Sequence, residues 1–566
     1  MATIDTAVEA PSPEEVILDD MSPFAKSVYE QKYAWRDEEG NITENWAGTA
    51  LRVTTNVLGA LGYTQDDAEF QKIYGYIRDR KFMPGGRYLY ASGRSLHQVQ
   101  NCLLLKAEDS REGWADLLSK AAMALQTGAG IGIDYSDVRA SGLPIRRTGG
   151  VASGPLALMR MINEVGRGVM QGGARRSAIW AGLNWNHGDV FAFMDMKNWA
   201  PEVRALKEKD FNFPAEMEFT NISILLDDLF FEAYGDPSHG LHEKAHKVYR
   251  QGVKRMLKTA EPGFSVDIGK NAGETLRNAC TEVTSADDSD ICNLGSVNMS
   301  RIDSRKEFGE VVRYGTLFLL AGTVYSDVPY DRVDETRTKN RRLGLGVMGI
   351  HEWLVKRGKP YGPDDELRKW MEFYELSGVY AEIWARQHDL SVPLKTRAIA
   401  PTGTIGIVAE TTTGIEPIFC VAYKRRIKTA QASGRDLTSF QYVVDPTAKR
   451  LIENGTDPYA IEDAYVLSYN YEKRIAMQAW MQQFVDHGIS STINLPETIT
   501  DGDEVERFGD TLMDYLPKLR GVTVYPDGAR GGQPLTAVPY EMAEGKEGVV
   551  YEETEDAFCK GGACGA

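Results

Sequence analysis

Residues 288–300 read Asp-Ser-Asp-Ile-Cys-Asn-Leu-Gly-Ser-Val-Asn-Met-Ser, a stretch that contains two short apolar runs. Similar short runs occur at 101–105 (NCLLL) and 397–401 (RAIAP), and they alternate with longer stretches of helical periodicity such as 366–387. Short runs bounded by polar residues are typical of buried strands, and their alternation with helices favours an α/β architecture. We therefore expect one large α/β unit between residues 82 and 535.

The segments on either side of this unit differ in composition. Residues 1–20 mix Pro, Glu and Asp without an apolar face, which predicts a flexible N-terminal arm. Residues 21–81 carry apolar side chains at helical spacing and predict a helical region. Residues 536–566 are acidic and contain glycines, which predicts a flexible C-terminal tail.

The composition of the 566-residue chain excludes several classes of protein. Hydrophobic residues make up 42% and charged residues 26%, as in an ordinary globular enzyme. The net charge of -17 argues against a general nucleic-acid or membrane-surface binder. The sequence shows neither a membrane-spanning apolar run nor a signal-peptide core near its start, so we expect a cytoplasmic protein. Six cysteines are too few for a disulfide scaffold, which leaves core, metal-binding or redox roles.

The segment Asn278-Ala-Cys280-Thr-Glu282 combines three kinds of chemistry. In an extended segment these alternate positions would place the amide, the thiol and the carboxylate on one face. A thiol can form a thiyl radical, a carboxylate can act as a general base, and an amide can orient a substrate without titrating. Taken alone, however, a cysteine in such a segment is more commonly a small core residue.

The other cysteines fall into two groups. Cys102 and Cys292 lie in the apolar runs NCLLL and ICNLGS, where either could be a core residue, and Cys420 is interpreted as a buried apolar thiol. Cys559 and Cys564 lie in CKGGAC near the C-terminus. This last pair favours a redox shuttle that exchanges disulfides with an interior pair over half of a zinc site, because no second Cys/His pair lies nearby.

Together these motifs resemble the catalytic (large) subunit of ribonucleotide reductases, from about residue 21 to residue 566. The resemblance implies a ten-stranded α/β barrel of the ribonucleotide reductase and glycyl-radical type, with an N-terminal helical region. It also implies reduction of ribonucleotides, which we expect to be diphosphates although the motifs leave triphosphates open, to 2′-deoxyribonucleotides. The segments TTTGIEP (411–417) and KNRRLGLGVMG (339–349) are typical of the family as well.

The resemblance implies a role for each cysteine except Cys420. The radical would form on Cys280, Glu282 would take the proton of the 3′-hydroxyl, and Asn278 would hold the substrate. The two reducing thiols would be Cys102 and Cys292. The disulfide that they form would be reduced by the tail thiols Cys559 and Cys564, and then by a thioredoxin-like protein.

Two further sets of residues are implied as nucleotide sites. The hydroxyls and small-residue amides of PTGTIG are suited to cradle the substrate phosphates, although a Thr/Gly turn by itself is more often a plain loop. This candidate phosphate site comprises Pro401, Thr402, Gly403, Thr404, Ile405 and Gly406. A deoxynucleoside triphosphate or ATP would act as allosteric effector on a second set, although Arg/Gly clusters are usually solvated surface. These effector candidates are Asp109, Arg146, Gly172, Gly173, Arg175 and Arg176.

The source of the radical distinguishes the classes of this family. Members fed by a ferritin-like metalloprotein subunit typically carry two adjacent tyrosines before the tail, whereas this chain has no Tyr-Tyr pair and only Tyr525 in VYPDGAR. VYPDGAR resembles the adenosylcobalamin-dependent class, so we expect adenosylcobalamin. The alternative is a radical-generating small subunit with Tyr525 as a relay residue. By analogy we also expect a homodimer, and because residues 21–81 show no ATP-cone, no general inhibition by dATP.

Two short patterns suggest other functions. His242-Glu-Lys-Ala-His246 has the HExxH form of zinc hydrolases, but its charged flanks favour a solvated helix, and we expect no metal site. Residues 344–349 have the GxGxxG form of dinucleotide-binding proteins. Because RTKNRR precedes them where a buried strand would be required, we interpret these glycines as helix-packing residues.

Overall fold

The computed structural model describes residues 21–146, 149–169, 177–209, 213–430, 436–529 and 535–552. The strands are β1 (Phe82–Pro84), β2 (Cys102–Lys106), β3 (Gly130–Asp134), β4 (Ile179–Asn184), β5 (Thr220–Asp227), β6 (Gly263–Asp267), β7 (Leu276–Arg277), β8 (Thr284–Ser285), β9 (Asp290–Asn298), β10 (Leu343–Met348), β11 (Ala422–Ala430), β12 (Asp436–Val444), β13 (Thr492–Leu495), β14 (Gly521–Pro526), β15 (Leu535–Ala537) and β16 (Val550–Glu552).

The α-helices are α1 (Pro23–Lys32), α2 (Trp46–Gly59), α3 (Ala68–Arg78), α4 (Gly86–Ala91), α5 (Arg111–Gln126), α6 (Pro155–Gly168), α7 (Val190–Asp195), α8 (Pro201–Lys209), α9 (Asp228–Gly235), α10 (His242–Thr259), α11 (Arg305–Tyr325), α12 (Asp331–Asn340), α13 (Ile350–Val355), α14 (Asp365–Glu375), α15 (Ser377–Gln387), α16 (Gly403–Ala409), α17 (Pro446–Glu453), α18 (Ala464–Ser468), α19 (Tyr471–Gln482), α20 (Gly502–Tyr515) and α21 (Tyr540–Ala543). Of these described helices, none is both long and apolar enough to span a bilayer.

One ten-stranded sheet organises the chain between residues 82 and 526. Its order is β1-β9-β2-β3-β4-β5-β6-β14-β13, with β10 paired to β9. Strands β2 to β6 are mutually parallel, and this group meets β9 on one side and β14 on the other in antiparallel register. The α/β architecture predicted from the alternating pattern is therefore confirmed.

Residues 395–399 continue the hydrogen bonding between the two ends of this sheet. Leu345 of β10 bridges Arg397, and Ile399 bridges Ile489, both in parallel register. Ile489 lies three residues before β13, so a hydrogen-bonded path runs from β10 through 395–399 to β13. We call this arrangement the barrel, and its two halves each contain five parallel segments.

The apolar core lies in three layers. One cluster packs α10, α20 and neighbouring helices against the outer faces of β2 to β6, and another packs the helices of residues 23–78 against α11, α14 and β10. A third, small cluster lies on the barrel interior and contains Cys102, Leu104, Leu276, Val283, Cys292 and Ala398. The interior is thus lined by the same short strands whose opposite faces form the main core, as period-two alternation requires.

Three sequence interpretations are corrected by the structure. The stretch 366–387 forms two helices, α14 and α15, that separate at Leu376. The expectation of a flexible tail from residue 536 is wrong for the described part, where β15 and β16 pair with β11 and β12 in a four-stranded sheet, and residues 553–566 lie outside the described residues. Residues 343–348 form the buried strand β10, not a helix.

Glycines in β10 serve close strand packing, which explains why the helix interpretation was wrong. A Cβ at Gly344 would lie 2.7 Å from the carbonyl oxygen of Asn293, and one at Gly346 would lie 2.7 Å from that of Ala398. Of the charged residues before β10, Arg337 and Lys339 lie on α12 and Arg341 caps it, so they do not interrupt the strand. Charge before an apolar run therefore did not exclude a buried strand here.

Candidate active site

The Asn278–Glu282 segment is a hairpin loop, and the expectation of an extended segment is wrong. Strands β7 and β8 pair in antiparallel register, with residues 278–283 between them. Thr281 adopts a positive φ of 68°, and its N–H donates to the carbonyl of Asn278 at 3.0 Å. A tight turn, not alternation along a strand, therefore brings the three side chains to one region.

The hairpin enters the barrel alongside β3, which has glycine at the two positions that face the hairpin. A Cβ at Gly132 would lie 1.8 Å from the carbonyl oxygen of Arg277, so only glycine fits there. Thr275 donates to Asp134, the last residue of β3, at 2.6 Å. A Cβ at Gly130, the first residue of β3, would lie 3.0 Å from the Cβ of Ala279. The loop thus points toward the end of the barrel at which β3 begins.

Cys102 and Cys292 lie directly opposite each other on adjacent antiparallel strands. They are register partners between β2 and β9, and both are buried free thiols. Directly opposed residues on such strands point to the same face with Cα atoms about 4.5–5.5 Å apart. That separation lies within the range of an unstrained disulfide, about 4.4–6.8 Å, so the two thiols are placed to form one.

Glu282 is a buried carboxylic group with an unsatisfied oxygen. Its side chain is almost completely buried, and its Oε2 atom has no hydrogen-bond partner among the described residues. Burial raises the pKa of Glu282 to about 7, against a smaller lowering by the Asn278 amide. A carboxyl group of this kind can exchange a proton with a bound hydroxyl near neutral pH.

Asn278 contacts two of the candidate groups. Its Oδ1 atom accepts from the Val283 N–H at 3.0 Å, which fixes the orientation of the amide. Hydrogen bonds from Asn278 also act to lower the pKa values of Glu282 and Cys102. The amide therefore connects the hairpin loop to the thiol on β2.

Cys280 differs from the other two thiols because its side chain is exposed. The surrounding protein nevertheless desolvates the sulfur, and together with the charge of Glu282 this raises the pKa of the Cys280 thiol. Burial likewise raises the pKa values of Cys102 and Cys292 well above the usual value. All three groups are therefore protonated thiols at neutral pH, which disfavours thiolate nucleophilic chemistry and retains the S–H bond.

The candidate phosphate residues begin where the segment 395–399 leaves the barrel. Gly403 opens helix α16, whose first N–H groups have no intrahelical acceptor. Thr402 precedes the helix with a positive φ of 49°, and its Oγ1 accepts from the Gly414 N–H at 2.9 Å. Pro401 and Gly403 are exposed, Thr404 is half-buried, and Ile405 and Gly406 are buried.

The effector candidates are only partly within the described residues. Asp109 accepts from Arg139 at 2.6 Å, an ion pair that the sequence reasoning missed. Arg146 is exposed, in a turn closed by a bridge between Pro144 and Val151. Gly172, Gly173, Arg175, Arg176 and the tail cysteines Cys559 and Cys564 lie outside the described residues.

Tyr525 lies on the inner side of β14. Val522 and Val524 of the same strand belong to the outer core cluster, so Tyr525 faces the interior by alternation and is half-buried. Its register partner on β13 is Asn494. This position is compatible with a contact at the active site but does not by itself supply a relay.

His242 and His246 make structural contacts at the start of α10. The His242 Nδ1 atom lies 2.9 Å from the Ala233 carbonyl oxygen, and the His246 Nε2 atom lies 3.0 Å from that of Tyr234. Nowhere in the described part of the chain do three or more metal-ligating side chains form a cluster. The zinc-hydrolase alternative therefore gains no support.

A group of buried and half-buried ionisable residues around the hairpin was also missed. Glu274, Lys395, His487 and Arg520 contact its two strands or each other, yet they come from distant parts of the sequence. A local motif cannot reveal such a group, since only the fold brings it together.

Two protein-family models match this chain over most of its length. The model described as the ribonucleotide reductase barrel domain matches residues 100–247, 239–381 and 395–509. The ribonucleotide reductase all-alpha domain matches residues 19–97.

Several curated proteins are similar to the chain. A vitamin B12-dependent ribonucleoside-diphosphate reductase of Mycobacterium tuberculosis (strain CDC 1551 / Oshkosh) is 26% identical, over 96% of this chain and 84% of that protein. A protein of the same name from Thermoplasma acidophilum is 26% identical, over 95% of this chain and 74% of that protein. The ribonucleoside-diphosphate reductase large subunit of Vaccinia virus (strain Copenhagen) is 26% identical over only 53% of this chain and 45% of that protein.

Proposed function

Because the chain belongs to the ribonucleotide reductase large-subunit family, we propose that it reduces ribonucleotides to 2′-deoxyribonucleotides by a cysteine-radical mechanism. The observation that carries this proposal is the opposition of the buried thiols Cys102 and Cys292 inside the barrel. Beside them the hairpin loop presents a third thiol, Cys280, and the unsatisfied carboxyl group of Glu282. The names of the two relatives that match nearly the whole chain favour ribonucleoside diphosphates as substrates.

In the proposed reaction each side chain has one task. The Cys280 sulfur radical takes the hydrogen atom from C3′ and becomes a thiol. Glu282, as a carboxylate, takes the proton of the 3′-hydroxyl, and the Asn278 amide orients the sugar. The bond between C2′ and its oxygen then breaks, and the 2′-hydroxyl leaves as water with a proton from one of the two opposed thiols.

Cys102 and Cys292 supply the two electrons of the reduction. One thiol gives its proton to the leaving water and the other gives a hydrogen atom to C2′, and the two sulfurs join as a disulfide. The remaining electron passes to the C3′ carbonyl group while the proton held by Glu282 returns to its oxygen. Cys280 then returns its hydrogen atom to C3′ and is a radical again. The balance is one ribonucleotide and two thiols converted to one deoxyribonucleotide, one water and one disulfide. The raised pKa values keep all three sulfurs protonated before the reaction, so each of them enters it with an S–H bond.

The remaining groups bind nucleotides or regenerate the reducing thiols. The first turn of α16 and the Pro401–Gly406 segment hold the substrate phosphates through backbone N–H groups. Cys559 and Cys564 reduce the interior disulfide by exchange and pass the oxidation to a thioredoxin-like protein. Asp109 and Arg146, with the loop residues around 172–176, bind a deoxynucleoside triphosphate effector, and a second copy of the chain packs across these loops.

Adenosylcobalamin is the proposed radical source, because the relatives that match nearly the whole chain are named vitamin B12-dependent. When bound, its cobalt–carbon bond supplies the radical on homolysis. Cys280 is suited to react with this cofactor, because it is the exposed thiol of the three and its raised pKa keeps the sulfur protonated. The Vaccinia virus large subunit matches barely half of the chain, so the small-subunit alternative with Tyr525 as relay is less well supported.

Two exposed aromatic side chains, one on α18 and one at its C-terminal cap, are suited to hold the corrin ring. Tyr465 and Tyr469 are exposed, with ring centroids 5.8 Å apart. The pKa of Tyr465 is raised chiefly by its hydrogen bond to Tyr469, and Asp527, the residue after β14, adds to the rise. This surface therefore lies near the end of the barrel strand that carries Tyr525.

The test is turnover by the purified chain with adenosylcobalamin, a ribonucleoside diphosphate and a small dithiol, without any second protein. We expect deoxyribonucleotide to form, and the Cys280→Ser variant to lose it while still binding nucleotide. Absence of product under these conditions, with product appearing only after a metalloprotein subunit is added, would contradict the cobalamin assignment. Full activity of the Cys280→Ser variant would contradict the radical site.

A further inference from the structure

Both strands of the Cys280 hairpin are anchored by buried polar groups that the proposed reaction does not use. Arg277, the last residue of β7, is completely buried and donates to Asp267 at 2.6 Å and to the Leu276 carbonyl at 3.0 Å. Thr284, the first residue of β8, donates its N–H to His487 Nδ1 at 3.1 Å. The loop 278–283 is therefore held at both of its ends.

Glu274 is the carboxylate on which this network converges. Its Oε2 atom accepts from Lys395, from Thr284 Oγ1 at 3.0 Å and from Arg520 at 3.4 Å. Its Oε1 atom accepts from Arg342 at 3.4 Å. One carboxylate thus joins three cations from distant parts of the barrel to the second strand of the hairpin.

The protonation states of the ionisable groups in this network depend on one another. Burial acts to raise the pKa of Glu274, but Lys395, Arg342 and Arg520 outweigh it, so the pKa lies below the usual value. Burial, with Arg520, lowers the pKa of Lys395 to about 8. Burial and the surrounding cations lower the pKa of His487 well below normal, so its Nδ1 stays available to the Thr284 N–H. Removing the carboxylate would leave three cations without their common partner.

The same network reaches the reactive part of the loop. Gly488, which follows His487, donates its N–H to the Glu282 carbonyl at 2.7 Å. Residues 487 and 488 therefore hold both Thr284 and Glu282 against the barrel wall. Because only Val283 separates those two residues, a shift of Thr284 is transmitted directly to Glu282, and through the tight turn to Cys280.

We propose that Glu274 is a positioning residue for the Cys280 loop, which acts by holding Thr284 to Lys395, Arg342 and Arg520. This inference rests on the proposed function only in that it names Cys280 and Glu282 as the groups positioned. Glu274 lies outside the 278–283 loop that carries the proposed reacting groups.

The test compares variants of the full chain. Glu274→Gln keeps the shape of the side chain and removes its charge. Thr284→Val removes the hydroxyl that donates to Glu274 and accepts from Lys395 at 3.3 Å, and so separates the hairpin from the network. For Thr284→Val we expect kcat to fall about tenfold or more with KM within about twofold, because misplacement of reacting groups costs rate and not binding. Thr284→Ser, which keeps the hydroxyl, should restore kcat. If Glu274→Gln does not fold, the fall in kcat of Thr284→Val alone still tests the proposal.

The matched control is Thr316→Val, which removes a completely buried hydroxyl bonded to the Val312 carbonyl at 2.7 Å in α11. It should change thermal stability about as much as Thr284→Val and leave kcat unchanged. A kcat of Thr284→Val within about twofold of wild type would overturn the proposal. So would an equal loss of kcat in Thr284→Ser or in Thr316→Val.

A second readout does not depend on catalysis. In a background lacking Cys559 and Cys564, Cys280 is the exposed cysteine of the described part of the chain, and its alkylation rate reports its surroundings. A loosened loop lets the thiol pKa fall toward normal, so we expect alkylation about threefold faster or more in Thr284→Val. An unchanged alkylation rate would overturn the positioning role. An inactive wild-type chain whose alkylation responds as expected would contradict the proposed function alone.

Discussion

At the scale of single residues, Cys280 and Glu282 lie two positions apart and have opposite requirements for protons. In the proposed mechanism the thiol keeps its hydrogen until the radical is generated, and desolvation with the nearby carboxylate raises its pKa. The carboxyl group must be ionised to accept a proton, yet its burial raises its pKa to about 7. The fraction of ionised Glu282 therefore changes steeply near neutral pH.

The first prediction concerns the pH dependence of activity. The rate kcat/KM should rise with pH through about 7 because the ionised form of Glu282 is the base. In Glu282→Gln the residual rate should be low and flat across the same range. The measurement is kcat/KM from about pH 5.5 to pH 8.5, and a wild-type profile without this limb would contradict the assignment.

The second prediction concerns stability. A folded-state pKa raised from 4.5 to about 7 stabilises the fold at low pH, and this contribution is lost as pH rises through about 7. The Glu282→Gln variant has no ionisable group at this position, so its stability does not fall for this reason as pH rises. Relative to wild type, its free energy of unfolding should therefore increase by about 2 kcal/mol between about pH 5.5 and pH 8. Denaturant unfolding at the two pH values measures the difference, and equal differences at both would contradict it.

The third prediction concerns the opposed thiols. With adenosylcobalamin present, one equivalent of substrate without added reductant should remove two titratable thiols from the wild-type chain. Cys102→Ser and Cys292→Ser should prevent this loss, while Cys420→Ser should not, since Cys420 bonds the Ala422 carbonyl away from the barrel interior. Thiol titration under denaturing conditions checks this, and loss of two thiols in Cys292→Ser would contradict the pairing.

At the scale of elements, the hairpin β7–β8 and the strand β3 depend on each other. The hairpin carbonyl at Arg277 occupies the space that a side chain at Gly132 would need. The register of β3 in the sheet is fixed by β2 and β4, so β3 cannot move to make room. The position of the loop is therefore set by a strand that contributes no reactive group.

The fourth prediction follows from this contact. Gly132→Ala should displace the hairpin, reduce activity to a small fraction of wild type and lower stability by about 1–3 kcal/mol. Gly75→Ala is the control, because a Cβ there meets no atom within 4 Å and the residue lies inside α3. That change should stabilise the chain by about 0.5–1 kcal/mol without affecting activity. Equal activities of the two variants would contradict the tight contact.

The helices and strands also show how much of the fold could be predicted from sequence patterns. The alternation of short apolar runs and helices predicted an α/β unit because each run is long enough to identify a buried strand. It could not predict the hairpin loop around Cys280, because strands of two residues leave no periodicity. The glycines of β10 were misassigned for a related reason, since close packing of strand backbones and close packing of helices both favour glycine.

At the scale of the whole molecule, the two halves of the barrel have different tasks. Strands β2 and β3 supply the buried thiol Cys102 and the space for the hairpin, and the half that contains 395–399 leads into the candidate phosphate segment. Residues that the sequence identified by resemblance, such as Cys102 and Cys292, lie 190 positions apart and meet only in the folded chain. Glu274 and Lys395 carried no local signal, so they could be found only from the fold.

The fifth prediction belongs to this scale because it concerns transfer of electrons from the C-terminus to the interior. Cys559→Ser should stop turnover with a thioredoxin system but retain it with a small dithiol that reaches the interior disulfide directly. Parallel assays with the two reductants check this. Equal loss of activity with both reductants would exclude a shuttle role for the tail.

The pairing of Cys102 with Cys292 has a consequence for how this protein can change over time. Since side chains alternate along a strand, a slip of one residue between β2 and β9 would turn one sulfur to the outer face. We therefore expect that β2 does not tolerate insertions or deletions, even though its apolar residues could be exchanged among Leu, Ile and Val. Connections that contribute no group to the candidate site, unlike the 278–283 loop and the 401–406 segment, carry no such restriction, so variation in length should accumulate in them and spare this strand.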